Sequence, residues 1–422
     1  MAKGDIQTPP GTGHVGSLTP DQKELLKQMW VEIFKIQDSG SLDLPTDLLA
    51  PPSDTASVKS KGTVKKGWFG SSKSVPADEP AQTTRVNLAD IGLDVATLRP
   101  ALWNNVLGDH PDALLLRFLR ARKWNVTNGM NMILKAFKWR MEDDIEEVKA
   151  TSEIDLDAKY RGFRLQMETG KSYFHGTDKL GRPVVYIQVR LHKPSEQDPK
   201  ALEKFTIYVM ETGRLMIQPP VETACVIFDM TGFSLANMDY NFVKFLVQCF
   251  EAYYPESLGV LVIHKAPFVF WGVWKIIEPW LDPVVASKIR FCRSDKELTE
   301  IIDANHLPTK YEGGKDNFTY QYYPPQSGEN DAMKDTATTN TVRDEWSVLT
   351  SKFESLTREW VNSSKPGSRS EAEIEDERAN VAKELRVAYF KMDPYIRART
   401  LYHRSTNPVL LPDGQTSWTY NN

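Results

Sequence analysis

The sequence predicts an α/β fold, with a small helical N-terminal lobe, a mainly parallel β-sheet lobe with flanking helices, and a C-terminal helical extension. Helical periodicity without strands begins at Leu98 and continues to Met141. Short apolar, β-branched runs then alternate with helical patterns, which is typical of a parallel sheet. Beyond Tyr323 the chain becomes polar and then helical again. The predicted strands are 183–189, 223–229, 259–264 and 287–292.

Length and charge narrow the class of protein. The 422 residues are enough for two or three domains. A hydrophobic content of 41% with 26% charged residues fits a soluble globular chain, and the near-average 26 prolines and 24 glycines exclude a fibrous one. The net charge of -4 gives no overall signature of nucleic-acid binding. The longest apolar runs are far shorter than a membrane-spanning helix requires, so none is predicted.

The cysteines and histidines predict neither disulfides nor a metal site. Cys225, Cys249 and Cys292 form no CxxC pair, and the histidines show no zinc-ligand spacing. We therefore expect a cytoplasmic protein, in a reducing compartment, without a bound metal.

The N-terminal region begins with a predicted helix over residues 19–37. Thr19 is placed to cap it, Pro20 suits its first position, and an apolar stripe follows. Residues 38–84 have the composition of a linker. Within it, the segment 59–73 combines five lysines with Trp68 and Phe69, which favours adsorption to anionic lipid, although a solvated linker has the same composition.

Two short helices are predicted next, over residues 113–124 and 128–141, with a break at 125–127. This stretch carries seven Lys and Arg residues and no acid, and an acidic turn over 142–147 follows directly. The pattern fits charge pairing within the chain, and it also fits a basic helix that faces phosphate. The sequence leaves both interpretations open.

Helical patterns separate the predicted strands, and two further helices follow the sheet. The first helix after the sheet has apolar residues at heptad spacing from Val342 to Trp360. The second helix after the sheet is predicted over residues 371–391. We expect both to pack on this chain; docking to a partner is the alternative. The helices between and after the strands are predicted at 202–217, 239–253, 266–281 and 295–302.

No catalytic constellation is found, so we predict no catalytic residue, no cofactor and no enzymatic activity. The GxGxxG match at residues 11–16 lacks the preceding strand that a nucleotide site requires. The GKS at 170–172 lacks the first glycine of a P-loop, and no GxSxG is present. Asp229, at the end of a strand, is better explained by a turn with Thr231 than by acid–base chemistry.

The most unusual stretch is the predicted helix that starts at Ala266. It is apolar almost all round and is interrupted only by Lys275 and Glu278. Such a helix is either deeply buried or moves between protein and lipid. Three tryptophans exceed what one crossover helix usually needs.

Dispersed motifs in residues 98–315 resemble the CRAL-TRIO family, specifically its fungal phosphatidylinositol-transfer type. They are LLRFLRARKW (115–124), GTDKLGRP (176–183), YYPESLG (253–259), the APF-led helix, and LDPVVASKI (281–289). The resemblance implies that the α/β lobe encloses one lipid and that the helix from Ala266 is its gate. The gate residues would be Pro267, Phe268, Phe270, Trp271, Trp274, Ile277 and Trp280.

The resemblance also implies a binding site for the lipid headgroup. A polyol needs carboxylate acceptors for its hydroxyls, and a phosphate needs Lys or Arg donors. Ordinary surface ion pairs are the alternative for these charged residues. The residues that match the family's headgroup site are Glu256, Lys288, Arg122, Lys123, Asp178 and Pro183.

The pocket positions depart from family members that also bind phosphatidylcholine. Those members carry hydroxyl side chains in the pocket, whereas this chain has apolar side chains at all the matching positions. It also has Ser257 in place of an Arg. A buried zwitterion without partners costs several kcal/mol. We expect weak or no phosphatidylcholine binding and an apolar second ligand, a sterol or an isoprenoid. The apolar pocket residues are Val185, Met210, Ala224, Val226, Phe250 and Val285, the last replacing a frequent Thr of the inositol site.

The resemblance therefore implies a phosphatidylinositol-binding and transfer protein that serves phospholipid homeostasis. We expect a monomer in the cytoplasm that associates transiently and peripherally with membranes and binds no nucleic acid. A neutral-lipid or sterol binder and a lipid-presenting scaffold for lipid kinases are the alternatives. The expected divisions are 1–84 (N-terminal helix and flexible linker), 85–150 (helical N-terminal lobe), 151–322 (lipid-binding domain) and 323–422 (C-terminal helical extension).

Overall fold

A computed structural model describes residues 11–45 and 83–421 of the chain. The basic and aromatic segment 59–73 lies outside these ranges. Within them, no helix is long and apolar enough to cross a membrane.

The N-terminal lobe is a bundle of short helices with one small β-ribbon. Thr19 caps the first helix as predicted: its Oγ1 accepts from the backbone N–H of Gln22, and the Gln22 side chain accepts from the N–H of Thr19. Strands β1 (Ser41–Pro45) and β2 (Thr83–Asn87) pair antiparallel where the sequence predicted only a linker. The helices that precede the sheet are α1 (Pro20–Ser39), α2 (Val95–Val106), α3 (Pro111–Ala121), α4 (Val126–Glu142), α5 (Ile145–Ala150), α6 (Glu153–Lys159) and α7 (Leu165–Glu168), and the last three pack on the sheet lobe.

A five-stranded sheet forms the centre of the second lobe. The four predicted strands are confirmed, and they run parallel to one another. A fifth strand, which the sequence analysis missed, pairs antiparallel at one edge; its sequence, SYFHGT, has no apolar run. In sheet order the strands are β3 (Ser172–Thr177), β4 (Pro183–Gln188), β5 (Ala224–Asp229), β6 (Leu258–His264) and β7 (Ile289–Cys292).

Helices connect the parallel strands, and the predicted gate helix is shorter than expected. It begins at Phe270, not Ala266, because Lys265 turns the chain out of β6 with a φ of 50° and residues 266–269 form a loop and a turn. It ends at Ile277, so Trp280 lies in a separate 3-10 turn. The helices are α8 (Pro199–Met216), α9 (Tyr240–Gln248), extended by a π-helical turn to Tyr253, α10 (Phe270–Ile277), α11 (Pro283–Ser287) and α12 (Asp295–Leu298).

Both faces of the sheet are covered, as the continuous apolar strands predicted. Val184 and Tyr186 of β4 point to a core shared with Leu298 and Ile302. The alternate residues of the same strand point to the opposite face, toward α8, α9 and α10.

The C-terminal helices pack on their own chain, which confirms the expectation. Phe353 and Trp360 share one core with Trp30 of α1, and Arg378 forms a buried ion pair of 2.7 Å with Asp112 of α3. Further along, the hydroxyl of Tyr402 accepts from the backbone N–H of Phe174 in β3. The elements are α13 (Thr336–Trp360), α14 (Glu371–Ile396), α15 (Leu401–Arg404), β8 (Val409–Leu410) and β9 (Thr416–Ser417).

Candidate functional site

An apolar cavity of about 270 Å³ lies between the sheet and helices α8, α9 and α10. Alternation along the strands places every second side chain on this face, so β-branched and aliphatic residues form one wall. The helices supply the other wall with leucine, valine and aromatic side chains. All six residues expected in the apolar pocket line this cavity: Val185, Met210, Ala224, Val226, Phe250 and Val285.

Helix α10 covers the cavity with one face. Phe270, Trp274 and Ile277 follow helical spacing, are buried and line the cavity. The other expected gate residues do not line it. Trp271 packs on the ring of Phe291 at 5.0 Å.

The gate residues that do not line the cavity lie on the surface or pack against neighbouring side chains. Phe268 is 93% exposed, and Ile276 is also exposed. Trp280 stacks edge-on against Tyr240, and Lys244 lies over its ring. Pro267 lies in the loop before Phe268. The segment thus has an inner face on the cavity and an outer apolar face on the surface.

Glu256 and Lys288 meet at the edge of the sheet where the parallel strands begin. Glu256 comes just before β6, with a φ of 55°, and Lys288 just before β7. Because these strands are paired and parallel, the two side chains come together: Lys288 Nζ lies 3.1 Å from Glu256 Oε2. Lys288 is buried, and Glu256 keeps part of its carboxylate accessible. The following residues, Ser257 and Ile289, line the cavity, so the ion pair lies directly beside it.

The basic pair of the N-terminal lobe lies at the exposed end of α3. Arg122 and Lys123 are exposed, and neither forms an ion pair with any residue that the structure describes. The Arg122 charge reaches Glu251, where it opposes the burial that raises the pKa of that carboxyl. The Arg122 charge thus acts on the segment that precedes Glu256.

Most of the other charges in the basic stripe are used within the chain. Arg117 pairs with Asp109, and Arg140 pairs with Glu211 at 2.8 Å. Arg120 pairs with Glu222 at 2.7 Å. For these three residues, the interpretation as internal charge pairing is confirmed.

Asp178 holds the chain and the guanidinium of Arg182 in place. Its Oδ1 accepts from the backbone N–H groups of Leu180 and Arg182, and its Oδ2 lies 2.5 Å from Arg182 Nε. Both side chains are buried. The carboxylate is therefore engaged in a turn and does not face the cavity. Pro183, at the start of β4, directly follows Arg182.

Arg182 is the residue of this motif that the sequence analysis overlooked. A Cβ on Gly259 would lie 2.5 Å from Arg182 Nη1, so the guanidinium crosses close over the start of β6. The signal for Arg182 is its place in GTDKLGRP, four residues after Asp178 and directly before Pro183.

Other candidate groups have structural roles. Asp229 Oδ1 accepts from the N–H of Thr231, which confirms the predicted turn, and its Oδ2 accepts from the hydroxyl of Tyr311. The three cysteines are buried and free. Among the residues that the structure describes, no group of His, Cys, Asp and Glu side chains is arranged to hold a metal ion.

An apolar cavity with an acid–base pair beside it is typical of a binding protein for amphiphilic molecules. The CRAL/TRIO domain model matches residues 167–313, and the CRAL/TRIO N-terminal domain model matches residues 72–143. The chain belongs to the CRAL-TRIO family of lipid-binding and lipid-transfer proteins. Its family members are lipid-transfer proteins rather than enzymes.

Similar proteins cover nearly the whole chain. The CRAL-TRIO domain-containing protein C3H8.02 of Schizosaccharomyces pombe is 37% identical over 94% of this chain and 92% of its own length. The phosphatidylinositol transfer protein CSR1 of Eremothecium gossypii is 34% identical over 92% of this chain and 97% of its own. Among solved structures, Sfh5 matches with a TM-score of 0.41 and 20% identity over 50% of this chain and 73% of its own.

Proposed function

We propose that this protein binds one phosphatidylinositol molecule and transfers it between membranes. The observation that carries the proposal is the Glu256–Lys288 ion pair of 3.1 Å directly beside an apolar cavity. The carboxylate accepts from inositol hydroxyls, and the ammonium donates to the phosphate. The name of the relative from Eremothecium gossypii, a phosphatidylinositol transfer protein, supports the same ligand.

The remaining headgroup candidates take secondary parts in this proposal. Arg122 and Lys123 lie exposed at the surface and supply positive charge to the phosphate as the lipid enters. Asp178 and Pro183 act indirectly, because they fix Arg182 and the start of β4 at the edge that carries Glu256.

The energetics of lipid exposure explain why a carrier needs a cavity that shields the acyl chains from water. A lipid with two acyl chains carries about 30 methylenes, and at ~0.8 kcal/mol each their exposure to water costs on the order of 25 kcal/mol. A carrier must therefore replace bilayer contacts with cavity contacts before water enters. Helix α10 performs this exchange by moving outward, so that Phe270, Trp274 and Ile277 meet lipid when the cavity is open.

The size of the cavity supports the same motion. Its volume of about 270 Å³ lies near the lower end of the range for small-molecule pockets, roughly 300–1,000 Å³. Two acyl chains need more room than this, so α10 must move away from α8 and the sheet to admit them. The exposed Phe268 and Ile276 then rest on the membrane, which makes the association peripheral and transient.

The cavity favours dry ligands over phosphatidylcholine. Val185, Ala224 and Val226 offer no hydrogen bond to a buried choline phosphate, and such a headgroup without partners costs several kcal/mol. A sterol or an isoprenoid is the second ligand in this proposal. One lipid in one cavity needs no oligomer, so the protein acts as a cytoplasmic monomer. The packing of α13 and α14 on their own lobe favours this carrier over a partner-binding scaffold.

The headgroup assignment is tested with Glu256→Ala and Lys288→Ala. Each removes one charged partner of the phosphatidylinositol headgroup, and hydrogen bonds to charged groups contribute about 1.5–3 kcal/mol each. Transfer of radiolabelled phosphatidylinositol between vesicles should fall by roughly ten- to a hundredfold. Lys159→Ala, which breaks an exposed ion pair with Glu147, is the matched control and should transfer normally.

Undiminished transfer by both variants would contradict the headgroup assignment. A dedicated neutral-lipid binder would transfer little phosphatidylinositol even when unaltered, and squalene uptake that is equal in the unaltered protein and in both variants identifies it.

A further inference from the structure

The two charged partners of the headgroup site are held by different parts of the molecule. Lys288 is fixed by the sheet, because its carbonyl accepts from the backbone N–H of Leu261 in β6 at 2.9 Å. Glu256 lies just outside β6 with a φ of 55°, a left-handed conformation that is strained for any residue with a Cβ. Such a conformation persists only where the surrounding structure enforces it. The contacts around Glu256 therefore decide where its carboxylate points.

Tyr254, two residues before Glu256, is anchored to a buried carboxylate. Its hydroxyl donates to Glu211 Oε1 at 2.8 Å, and the Arg140 guanidinium of α4 donates to the same oxygen at 2.8 Å. Glu211 lies on α8 and is fully buried. Burial opposes its ionisation, but the charges of Arg140 and Arg214 outweigh burial and hold the pKa of Glu211 well below its ordinary value. The Tyr254 hydroxyl therefore donates to an ionised carboxylate, which makes a strong hydrogen bond.

Tyr253, the neighbouring residue, is held by α4 through its ring. It stacks on Trp139 with the ring centroids 3.9 Å apart and the planes 4° apart. Tyr254 packs against the same indole at 5.8 Å, with its plane nearly perpendicular. A π-helical turn ends at this point, closed by the N–H of Tyr254, which donates to the Cys249 carbonyl at 2.7 Å. Such turns are rare and are frequent at functional sites. Two consecutive residues of α4, Trp139 and Arg140, thus fix both tyrosines.

The residue that follows Glu256 is tied back to the same anchor. The Ser257 hydroxyl donates to the Tyr254 carbonyl at 2.6 Å. The Ser257 carbonyl accepts from the N–H of Ala224 in β5 at 2.9 Å. Only Pro255 and Glu256 lie between these two fixed residues. The Glu256 carboxylate therefore leaves a short loop that is held at both ends.

We propose that Trp139 and Tyr254 are positioning residues, which hold Glu256 where its carboxylate meets the inositol hydroxyls. This inference rests on the proposed function and adds the residues that determine its headgroup specificity. Tyr254 also lines the cavity, but its hydroxyl is used by Glu211. Because Lys288 is held independently by the sheet, loosening the tyrosines weakens recognition of inositol and leaves recognition of the phosphate. Phosphatidic acid carries the phosphate without inositol, so it is the ligand for comparison.

The test measures headgroup selectivity by competition. Full-length protein is incubated with phosphatidylcholine vesicles that contain equal amounts of phosphatidylinositol and phosphatidic acid with the same acyl chains, and the lipid taken up is measured by mass spectrometry. Tyr254→Phe removes the hydroxyl and keeps the ring. It should lower the phosphatidylinositol-to-phosphatidic acid ratio by about tenfold, the effect of one hydrogen bond to a charged group. Trp139→Phe, which reduces the stack on Tyr253, should lower the ratio in the same direction. Tyr323→Phe removes an exposed hydroxyl that contacts Thr406 and should keep the ratio of the unaltered protein.

A double variant separates positioning from a general loss of structure. In a Glu256→Ala background, adding Tyr254→Phe should leave the ratio at the value of Glu256→Ala alone, because the hydroxyl acts through Glu256. The ratio does not depend on the fraction of folded molecules, so a less stable variant still gives an answer. Unchanged ratios in Tyr254→Phe and Trp139→Phe, or an equal loss of both lipids, would overturn the inference. Glu256→Ala alone tests the proposed function separately: an unchanged ratio in that variant contradicts the headgroup assignment itself.

Discussion

Asp178 provides a sharp test of a structural role against a headgroup role. The sequence placed it in the lipid headgroup site, whereas its carboxylate is buried against Arg182 and accepts two backbone hydrogen bonds. Asp178→Asn keeps the size of the side chain and removes its charge. The guanidinium of Arg182, 5% exposed, is then left buried without a counter-charge.

The expected cost follows from this burial. Removing one partner of a buried ion pair costs about 3–5 kcal/mol, whereas an exposed pair contributes about 0–1 kcal/mol. The free energy of unfolding of a typical domain is about 5–15 kcal/mol, so this loss is a large fraction of the total stability. In urea titrations followed by circular dichroism, the midpoint should shift strongly to lower concentration. Asp198→Asn, at the exposed ion pair with Arg161, should shift it little.

A double variant completes the test. Adding Arg182→Met to Asp178→Asn removes the unpaired charge and should recover part of the lost free energy. Transfer per folded molecule should fall far less than in Glu256→Ala, because Asp178 acts only through Arg182 and the start of β4. An unchanged unfolding free energy together with abolished transfer would refute the structural role and place Asp178 in the headgroup site.

Two further predictions concern the membrane face and the effect of pH. Phe268→Asp should leave the fold unchanged, because the ring is 93% exposed. It should weaken vesicle binding by roughly ten- to a hundredfold, since burial of a phenyl side chain contributes about 1.5–3 kcal/mol. Equal sedimentation of the variant and the unaltered protein with vesicles would contradict the proposal that the outer face of the gate contacts the membrane. Burial favours the neutral form of Glu222, but the hydrogen bond from His14 and the Arg120 charge lower the pKa to about 2. A lowered carboxyl pKa contributes stability above the unfolded value of 4.5, and this is lost as the pH falls from about 4.5 to 2. Glu222→Gln should therefore flatten the pH dependence of the unfolding free energy between about pH 4.5 and 2. A slope identical to that of the unaltered protein would contradict a lowered pKa of Glu222 in the folded state.

The sheet and its crossover helices could be predicted because their signals are local. Strands β4 to β7 are short, continuous apolar runs, and each is bounded by turn residues. Strand β3 escaped because SYFHGT depends on pairing with β4 for its place in the sheet. The start of the gate helix was misplaced because the left-handed Lys265 is not visible in an apolar pattern.

Site residues were predictable where strand or helix periodicity sets the direction of the side chain. They were not predictable where their role depends on contacts in the folded chain. The six pocket residues line the cavity because strand and helix periodicity fixes their direction. Asp178 was assigned by motif alone, and its buried contact with Arg182 arises from a turn that spacing does not reveal. The contact between Tyr254 and Glu211 could not be found from sequence either, since it joins residues 43 positions apart along the chain.

Mass spectrometry of the lipid that copurifies with the full-length protein tests the central claim most directly. We predict that phosphatidylinositol is the bound phospholipid and that Glu256→Ala loses it. Phosphatidylcholine should be nearly absent, because Val185, Ala224 and Val226 offer its headgroup no partner. Abundant phosphatidylcholine, or phosphatidylinositol retained equally by Glu256→Ala, would contradict it.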